Sequence, residues 1–136
     1  MLISTKGRYA LRVLIDLAEQ SDGEYVPLKD IAQRQEISQK YLESIMSALS
    51  KAGMVDGAHG KGGGYRLKKP AEEYSIKDIL AVTETSLAPV NCLNKDALSC
   101  NRAAECKTLP MWKRLDSLLE DFFANINLAQ IVQGKL

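Results

Sequence analysis

Five of the chain's nine glycines fall in one run, Asp56-Gly57-Ala58-His59-Gly60-Lys61-Gly62-Gly63-Gly64. Such a run suits a tight chain reversal, because glycine admits positive φ and lets another backbone approach closely. Met54-Val55 can start a strand before it, and Tyr65-Arg66-Leu67 can return one after it. The run therefore predicts a β-hairpin. His59, Lys61, Arg66, Lys68 and Lys69 surround it with positive or titratable groups. A phosphate-cradling nucleotide loop is the other use of clustered glycines. Lys61 does not sit in the G-x-x-x-x-G-K-[ST] pattern, and no long helix opens directly after Gly64.

The residues before the hairpin read as two short helices. Leu28, Ile31 and Ala32 keep the i, i+3, i+4 spacing of an amphipathic helix. Arg34-Gln35-Glu36 reads as a polar turn. Ser38 then offers an N-cap hydroxyl, and Ile37 and Leu42 are placed as a hydrophobic staple. Leu42, Ile45, Met46 and Leu49 form one buried stripe, and Gly53 can end the helix in a left-handed conformation. This is helix-turn-helix spacing. The first turn of the second helix gathers Ser38, Gln39, Lys40, Tyr41, Glu43 and Ser44, hydrogen-bonding groups expected to be exposed. A basic hairpin after such a helix is the wing of a winged helix. The helix would enter a major groove, while His59, Lys61 and Gly62-Gly63-Gly64-Tyr65 would meet phosphates or a minor groove.

Around this unit the chain divides simply. Ser4 and Thr5 can cap a helix running to about Gln20, with Tyr9, Leu11, Val13, Leu14, Leu17 and Ala18 on its apolar face. Lys6, Arg8 and Arg12 crowd its first half, either as a solvated basic face or as phosphate contacts. Ser21-Asp22-Gly23 reads as a turn. Ser75 can cap a helix through Ile76, Ile79, Leu80 and Val82, ending near Glu84, and Pro89 marks a boundary. From Thr108 to about Asn125, Trp112, Leu115, Leu119, Phe122 and Ile126 step by three and four, an a/d seam that needs a partner. Pairing with a second copy fits a two-fold DNA reader. Asn127 can cap a short final helix. The expected architecture is mostly α with a small β-hairpin wing. A winged helix-turn-helix spans 1–88, a cysteine-containing loop 89–107, and a dimerisation helix with a C-terminal helix 108–136.

Net charge is +1, so any nucleic-acid contact must come from local clustering rather than a basic polymer. No apolar run is long enough to span a membrane, and the first residues lack a signal-peptide core, so a cytoplasmic protein is expected. No nucleophile–base pairing is legible, and an enzyme is not expected.

All three cysteines fall in the polar segment from Val90 to Cys106, spaced Cys92-x7-Cys100-x5-Cys106. Zinc ribbons and thioredoxin motifs need C-x-x-C. Three thiolates on one loop can reach one soft metal centre, an iron–sulfur cluster above all. Thiol redox chemistry and inert structure are the alternatives.

Several segments together resemble the Rrf-type bacterial transcription regulators, and among them the cluster-binding IscR-like members. They are Ser4-Thr5-Lys6-Gly7-Arg8-Tyr9-Ala10, Ile37-Ser38-Gln39-Lys40-Tyr41-Leu42-Glu43, Lys51-Ala52-Gly53-Met54-Val55, Gly60-Lys61-Gly62-Gly63-Gly64-Tyr65-Arg66-Leu67, and the cysteine loop before Trp112. The resemblance implies a winged-helix homodimer on a palindromic double-stranded operator, most simply a repressor. Ser38, Lys40, Tyr41, Glu43 and Ser44 would face DNA. Cys92, Cys100 and Cys106 would hold a cluster, 2Fe–2S in preference to 4Fe–4S, sensing iron–sulfur status, oxygen or nitric oxide. Two departures stand out. IscR-like loops space their cysteines five and five, and carry a histidine three residues after the last one, where this chain has Leu109. The fourth ligand is thus unassigned: Asp96, Glu105, a residue of the partner's first helix, or a small thiol. The alternative is the same dimer without metal, controlled by thiol oxidation or by a partner protein, as in CymR-like members.

Overall fold

The computed structural model describes residues 2–20, 22–98 and 100–136, so Ser21 of the expected turn lies outside the described residues. Helix α1 runs Thr5–Gln20, α2 Leu28–Gln35 and α3 Gln39–Lys51. Strands β1 (Val55–Ala58) and β2 (Gly64–Leu67) follow, then α4 (Ile76–Thr83), α5 (Leu109–Ala124) and α6 (Leu128–Gln133). Single 3-10 turns lie at Ala71–Glu73 and Asn91–Leu93.

Local chemistry sets the element ends. Ser4 Oγ accepts from the Gly7 N–H at 2.9 Å and so caps α1. The Ser38 side chain accepts from the Tyr41 N–H at 3.2 Å, and Ser75 from the Asp78 N–H at 3.1 Å. Asn127 and Gln130 close a full capping box on α6. Gly53 adopts φ 74° just beyond α3, the left-handed position expected of it. The turn between α2 and α3 is shorter than expected. Arg34 and Gln35 remain helical, and Glu36 alone turns the chain with φ 54°. The reason is tertiary: both side chains are fastened to α1, which holds the last turn of α2 in place.

The core joins the inner faces of α1, α3 and α4 to Ile31, Val55, Tyr74 and Leu128. Met46 and Leu49 are fully buried, as the spacing of α3 requires. Helix α6 returns to this core after α5. The N–H groups of Leu128 and Ile76 donate to the carbonyls of Tyr74 and Ile126, each at 2.9 Å. By contrast, α5 buries no residue completely. Met111, Leu115, Leu118 and Phe122 on it stay exposed, so only Leu115 and Phe122 of the expected seam lie on the open stripe; Trp112 and Leu119 are half-buried, and Ile126 lies beyond the helix against the core.

The hairpin is longer than the sequence suggests. Val55↔Leu67, Asp56↔Arg66, Gly57↔Tyr65 and Ala58↔Gly64 pair antiparallel, so Asp56-Gly57-Ala58 is strand rather than loop. Backbone pairing needs no particular side chain, which is why the glycine content concealed it. A third segment joins the sheet. Val26 and Tyr65 exchange both backbone hydrogen bonds, at 2.8 and 2.9 Å. A Cβ on Gly64 would overlap the Val26 carbonyl and lie 2.8 Å from the Pro27 nitrogen. Gly64 is therefore the residue that lets the chain entering α2 lie against the wing.

Candidate nucleic-acid interface and cysteine loop

Helix α3 presents Ser38, Gln39, Lys40, Glu43 and Ser44 to solvent. Tyr41 departs from the expected exposure. It is half-buried, its ring edge-on to Tyr9 of α1 at 5.8 Å, and the Arg12 guanidinium lies 5.0 Å from the Tyr9 ring centre. Arg12 is likewise drawn into the fold, since its guanidinium donates to the Gln35 side chain at 3.2 Å and to the Gln35 carbonyl. A cation on the last carbonyls of α2 is well placed against the helix dipole. Of the three basic residues on α1, Arg8 is the exposed one, within 3.3 Å of Thr5 Oγ1.

Asp16 is the residue the sequence did not single out. It is 1% exposed on α1 and accepts two hydrogen bonds from Arg34, at 3.0 and 2.7 Å, and a third from Gln35 at 2.9 Å. A buried carboxylate survives only when so paired. The available signal was an acid placed among the apolar positions of α1. The network locks the helix pair onto α1 and so fixes the angle at which α3 projects.

At the wing, His59 and Lys61 are exposed at the tip. The other cations are partly engaged. Arg66 donates to the Gly23 carbonyl at 3.0 Å and lies 4.4 Å from the Tyr25 ring centre, and both Arg66 and Lys68 lie 3.8 Å from Asp56. Lys69 sits 4.9 Å from the Tyr74 ring centre. The wing glycines divide by role. Gly62 is open, with φ 80° and nothing near its missing Cβ, whereas a Cβ on Gly63 would overlap the Ala58 carbonyl. A groove of about 480 Å³ separates wing from helix pair, lined among others by Lys29, Gln39, His59, Gly60, Gly64 and Tyr65. Lys29, exposed in the first turn of α2, is a further cation beside this groove.

The three cysteines are free thiols, Cys92 and Cys100 exposed and Cys106 half-buried. With Leu93, Ala103, Leu109 and Lys113 they line one cavity of about 240 Å³ just before and along the start of α5. Cys106 Sγ lies 3.4 Å from Thr108 Oγ1. That contact and the Thr108 and Leu109 N–H groups hold its thiol below the usual cysteine value, with help from Arg102. Asp96 and Glu105 do not line the cavity, and His59 lies on the other groove. Among the described residues, no three His, Cys, Asp or Glu side chains converge as a cage for a single ion. The donor set, three thiols on one shared cavity, fits a thiolate-held cluster better than a mononuclear site.

A family model described as an iron-dependent transcriptional regulator, Rrf2, matches residues 3–134. The chain belongs to the Rrf2 family. It is 38% identical over 133 residues to the HTH-type transcriptional regulator IscR of Vibrio campbellii, covering 98% of this chain and 78% of that one. Among solved structures, CymR, the global cysteine regulator of B. subtilis, superposes with a TM-score of 0.79 at 32% identity, covering 98% of this chain and 97% of that one. IscR of T. potens does so with 0.78 at 30% identity, covering 100% and 89%. As an Rrf2 protein the chain is a winged-helix, DNA-binding transcription regulator and not an enzyme. Among the described residues, no helix is long and apolar enough to cross a membrane.

Proposed function

We propose that this Rrf2 protein is a homodimeric repressor of a palindromic operator, with DNA affinity set by an iron–sulfur cluster on the cysteine loop. The observation that carries the reading is the single cavity shared by Cys92, Cys100 and Cys106. Residues 1–88 serve as the reading unit, 89–107 as the sensing loop, and 108–136 as the pairing element. Gln39, Lys40, Glu43 and Ser44 supply donors and acceptors for base edges in the major groove, and the N-cap Ser38 and the Tyr9-braced Tyr41 position that turn. Arg8 and Lys61 neutralise phosphates, His59 offers a hydrogen bond to one, and the open Gly62 lets the wing backbone approach the duplex. A second copy covers Met111, Leu115, Leu118 and Phe122, which otherwise leave an apolar stripe in water. Cys92, Cys100 and Cys106 hold the cluster, 2Fe–2S in preference to 4Fe–4S. When bound, it supplies a centre that reacts with oxygen or nitric oxide.

The test is anaerobic reconstitution with iron and sulfide, followed by titration of a duplex selected from random sequence against the protein. Visible absorption bands with bound iron are expected, and operator affinity differs between loaded and cluster-free protein. Absence of both bands and iron sinks the cluster. Lys40→Ala and Tyr41→Ala weaken operator binding, and unchanged affinity in the double variant removes α3 as the reading helix.

A second reading keeps the dimer and drops the metal. It is favoured by the likeness to CymR and by the acidified Cys106 thiol, which suits direct oxidation. Iron analysis separates the two.

A further inference from the structure

Glu84 occupies a junction that neither the DNA-facing surface nor the cysteine cavity accounts for. It is the first residue beyond α4, its own N–H still donating to the Leu80 carbonyl at 2.8 Å. Its backbone then turns extended and leads into the cysteine loop. Its side chain reaches back to the start of α1. There Oε1 accepts from both the N–H and the Oγ–H of Ser4, each at 2.8 Å. A carboxylate at a helix N-terminus is favoured by the helix dipole. The fit is close, since a Cβ on Gly7 would overlap Glu84 Oε1 and lie 3.1 Å from Thr83 Oγ1.

From Glu84 the loop is tied onward. Ser86 Oγ donates to Asn94 Oδ1 at 2.6 Å and accepts from the Ala88 N–H at 3.0 Å. Asn94 directly follows the 3-10 turn that carries Cys92. Glu84, Ser86, Ala88 and Leu93 line one cavity of about 300 Å³ against Asp116 and Glu120 of α5. Asn94, next to the Cys92 turn, is thus bonded to Ser86, which stands two residues along the chain from Glu84, and Glu84 in turn holds Ser4, one turn from the exposed Arg8.

We infer that Glu84 is the positioning residue through which the state of the cysteine loop sets the first turn of α1. The inference rests on the proposed sensing role of that loop. A shift of residues 85–94 displaces the Glu84 carboxylate, removes the acceptor shared by the two Ser4 donors and loosens the turn that presents Arg8. Spatial continuity alone does not establish coupling, so the test reads coupling rather than stability.

Operator affinity is measured for cluster-loaded and cluster-free protein in wild type, Glu84→Ala, Glu84→Gln and Gly7→Ala. Wild type shows a loaded-to-free ratio in the range of about 5- to 150-fold usual for coupled sites. Glu84→Ala still takes up iron, but its ratio falls to within about twofold of unity. Glu84→Gln, whose amide oxygen can accept from both Ser4 donors, keeps most of the ratio. Gly7→Ala pushes on the same carboxylate from the α1 side and behaves like Glu84→Ala, so the result does not depend on one variant folding. Wild-type ratios in both Glu84→Ala and Gly7→Ala overturn the inference.

If wild type itself shows no ratio, the proposed function fails. Hydrogen exchange then decides the inference separately. Alkylating the three thiols with iodoacetamide speeds exchange of the first-turn amides of α1 in wild type, and adds nothing in Glu84→Ala. Indifference of those amides to alkylation in wild type overturns it.

Discussion

Gly64→Ala and Gly62→Ala put the division of labour within the wing to a quantitative test. Gly62 has φ 80° with open space around it, so alanine there meets only the left-handed penalty, about 1 kcal/mol. Gly64 has φ 144°, and a Cβ would strike the Val26 carbonyl. The backbone must separate, which endangers the Val26–Tyr65 pair of hydrogen bonds at 2.8 and 2.9 Å. Two such bonds are worth about 1–3 kcal/mol together, and the strained φ adds about 1–3 more. The sum, about 2–6 kcal/mol, is a large part of the roughly 5–15 kcal/mol that holds a domain together. At roughly 4 °C per kcal/mol, the melting temperature falls by about 8 °C or more for Gly64→Ala and by about 4 °C for Gly62→Ala. Urea denaturation of both variants, beside operator titration, separates the roles. Gly62→Ala leaves a nearly native fold and a weaker wing contact, whereas Gly64→Ala loses stability before any DNA is added. Equal stability of the two variants would refute the claim that Gly64 is kept for the contact with Val26.

Four further outcomes follow from the same geometry. Tyr74→Phe removes a buried hydroxyl that donates to the Met54 carbonyl at 2.6 Å and accepts from the Lys68 N–H at 3.1 Å. Its urea stability falls by about 1–3 kcal/mol. Burial raises the Tyr74 pKa above 10.0, so the native state holds that proton more tightly than the unfolded chain. Its stabilisation is complete below pH 10 and lost as pH rises through the folded value, and Tyr74→Phe lacks that component in urea midpoints taken across this window. Arg34→Ala leaves the Asp16 carboxylate, 2% exposed, with Gln35 alone and costs about 2–3 kcal/mol, the partial exposure of Arg34 softening the loss. A cost near zero in urea would show that the network does not hold α2 on α1. Leu118→Asp with Phe122→Asp makes a monomer by sedimentation while far-ultraviolet dichroism stays native, because neither residue lies in the core. Lys61→Ala lowers the salt slope of operator binding by about one, and an unchanged slope removes Lys61 from the phosphate contacts.

The sequence announced those parts whose physics is short-range. The caps at Ser38, Ser75 and Asn127, the stop at Gly53 and the stripe of α3 were readable because each depends on residues within a turn of one another. The hairpin was readable as a reversal but not in its length, since Asp56 to Ala58 pair through backbone alone. The exposure of polar residues was least legible. Tyr41, Arg12 and Arg66 read from the sequence only as polar or basic surface groups, and the fold sets each against a distant partner, Tyr9, Gln35 and Gly23.

By itself, then, the amino-acid order determined the winged-helix plan, the apolar character of α5 and the grouping of all three cysteines in one loop, whereas which residues of α5 stay open was decided by packing. Helical periodicity, capping and thiol chemistry are local properties of the chain. Tertiary structure decided what those groups are free to do. It buried Asp16 and thereby committed Arg34, closed Gly64 onto Val26, and brought Glu84 to the start of α1 across eighty positions of sequence. It also gathered the cysteines around a common cavity. Such pairings depend on which surfaces meet when helices pack, and no local spacing encodes that.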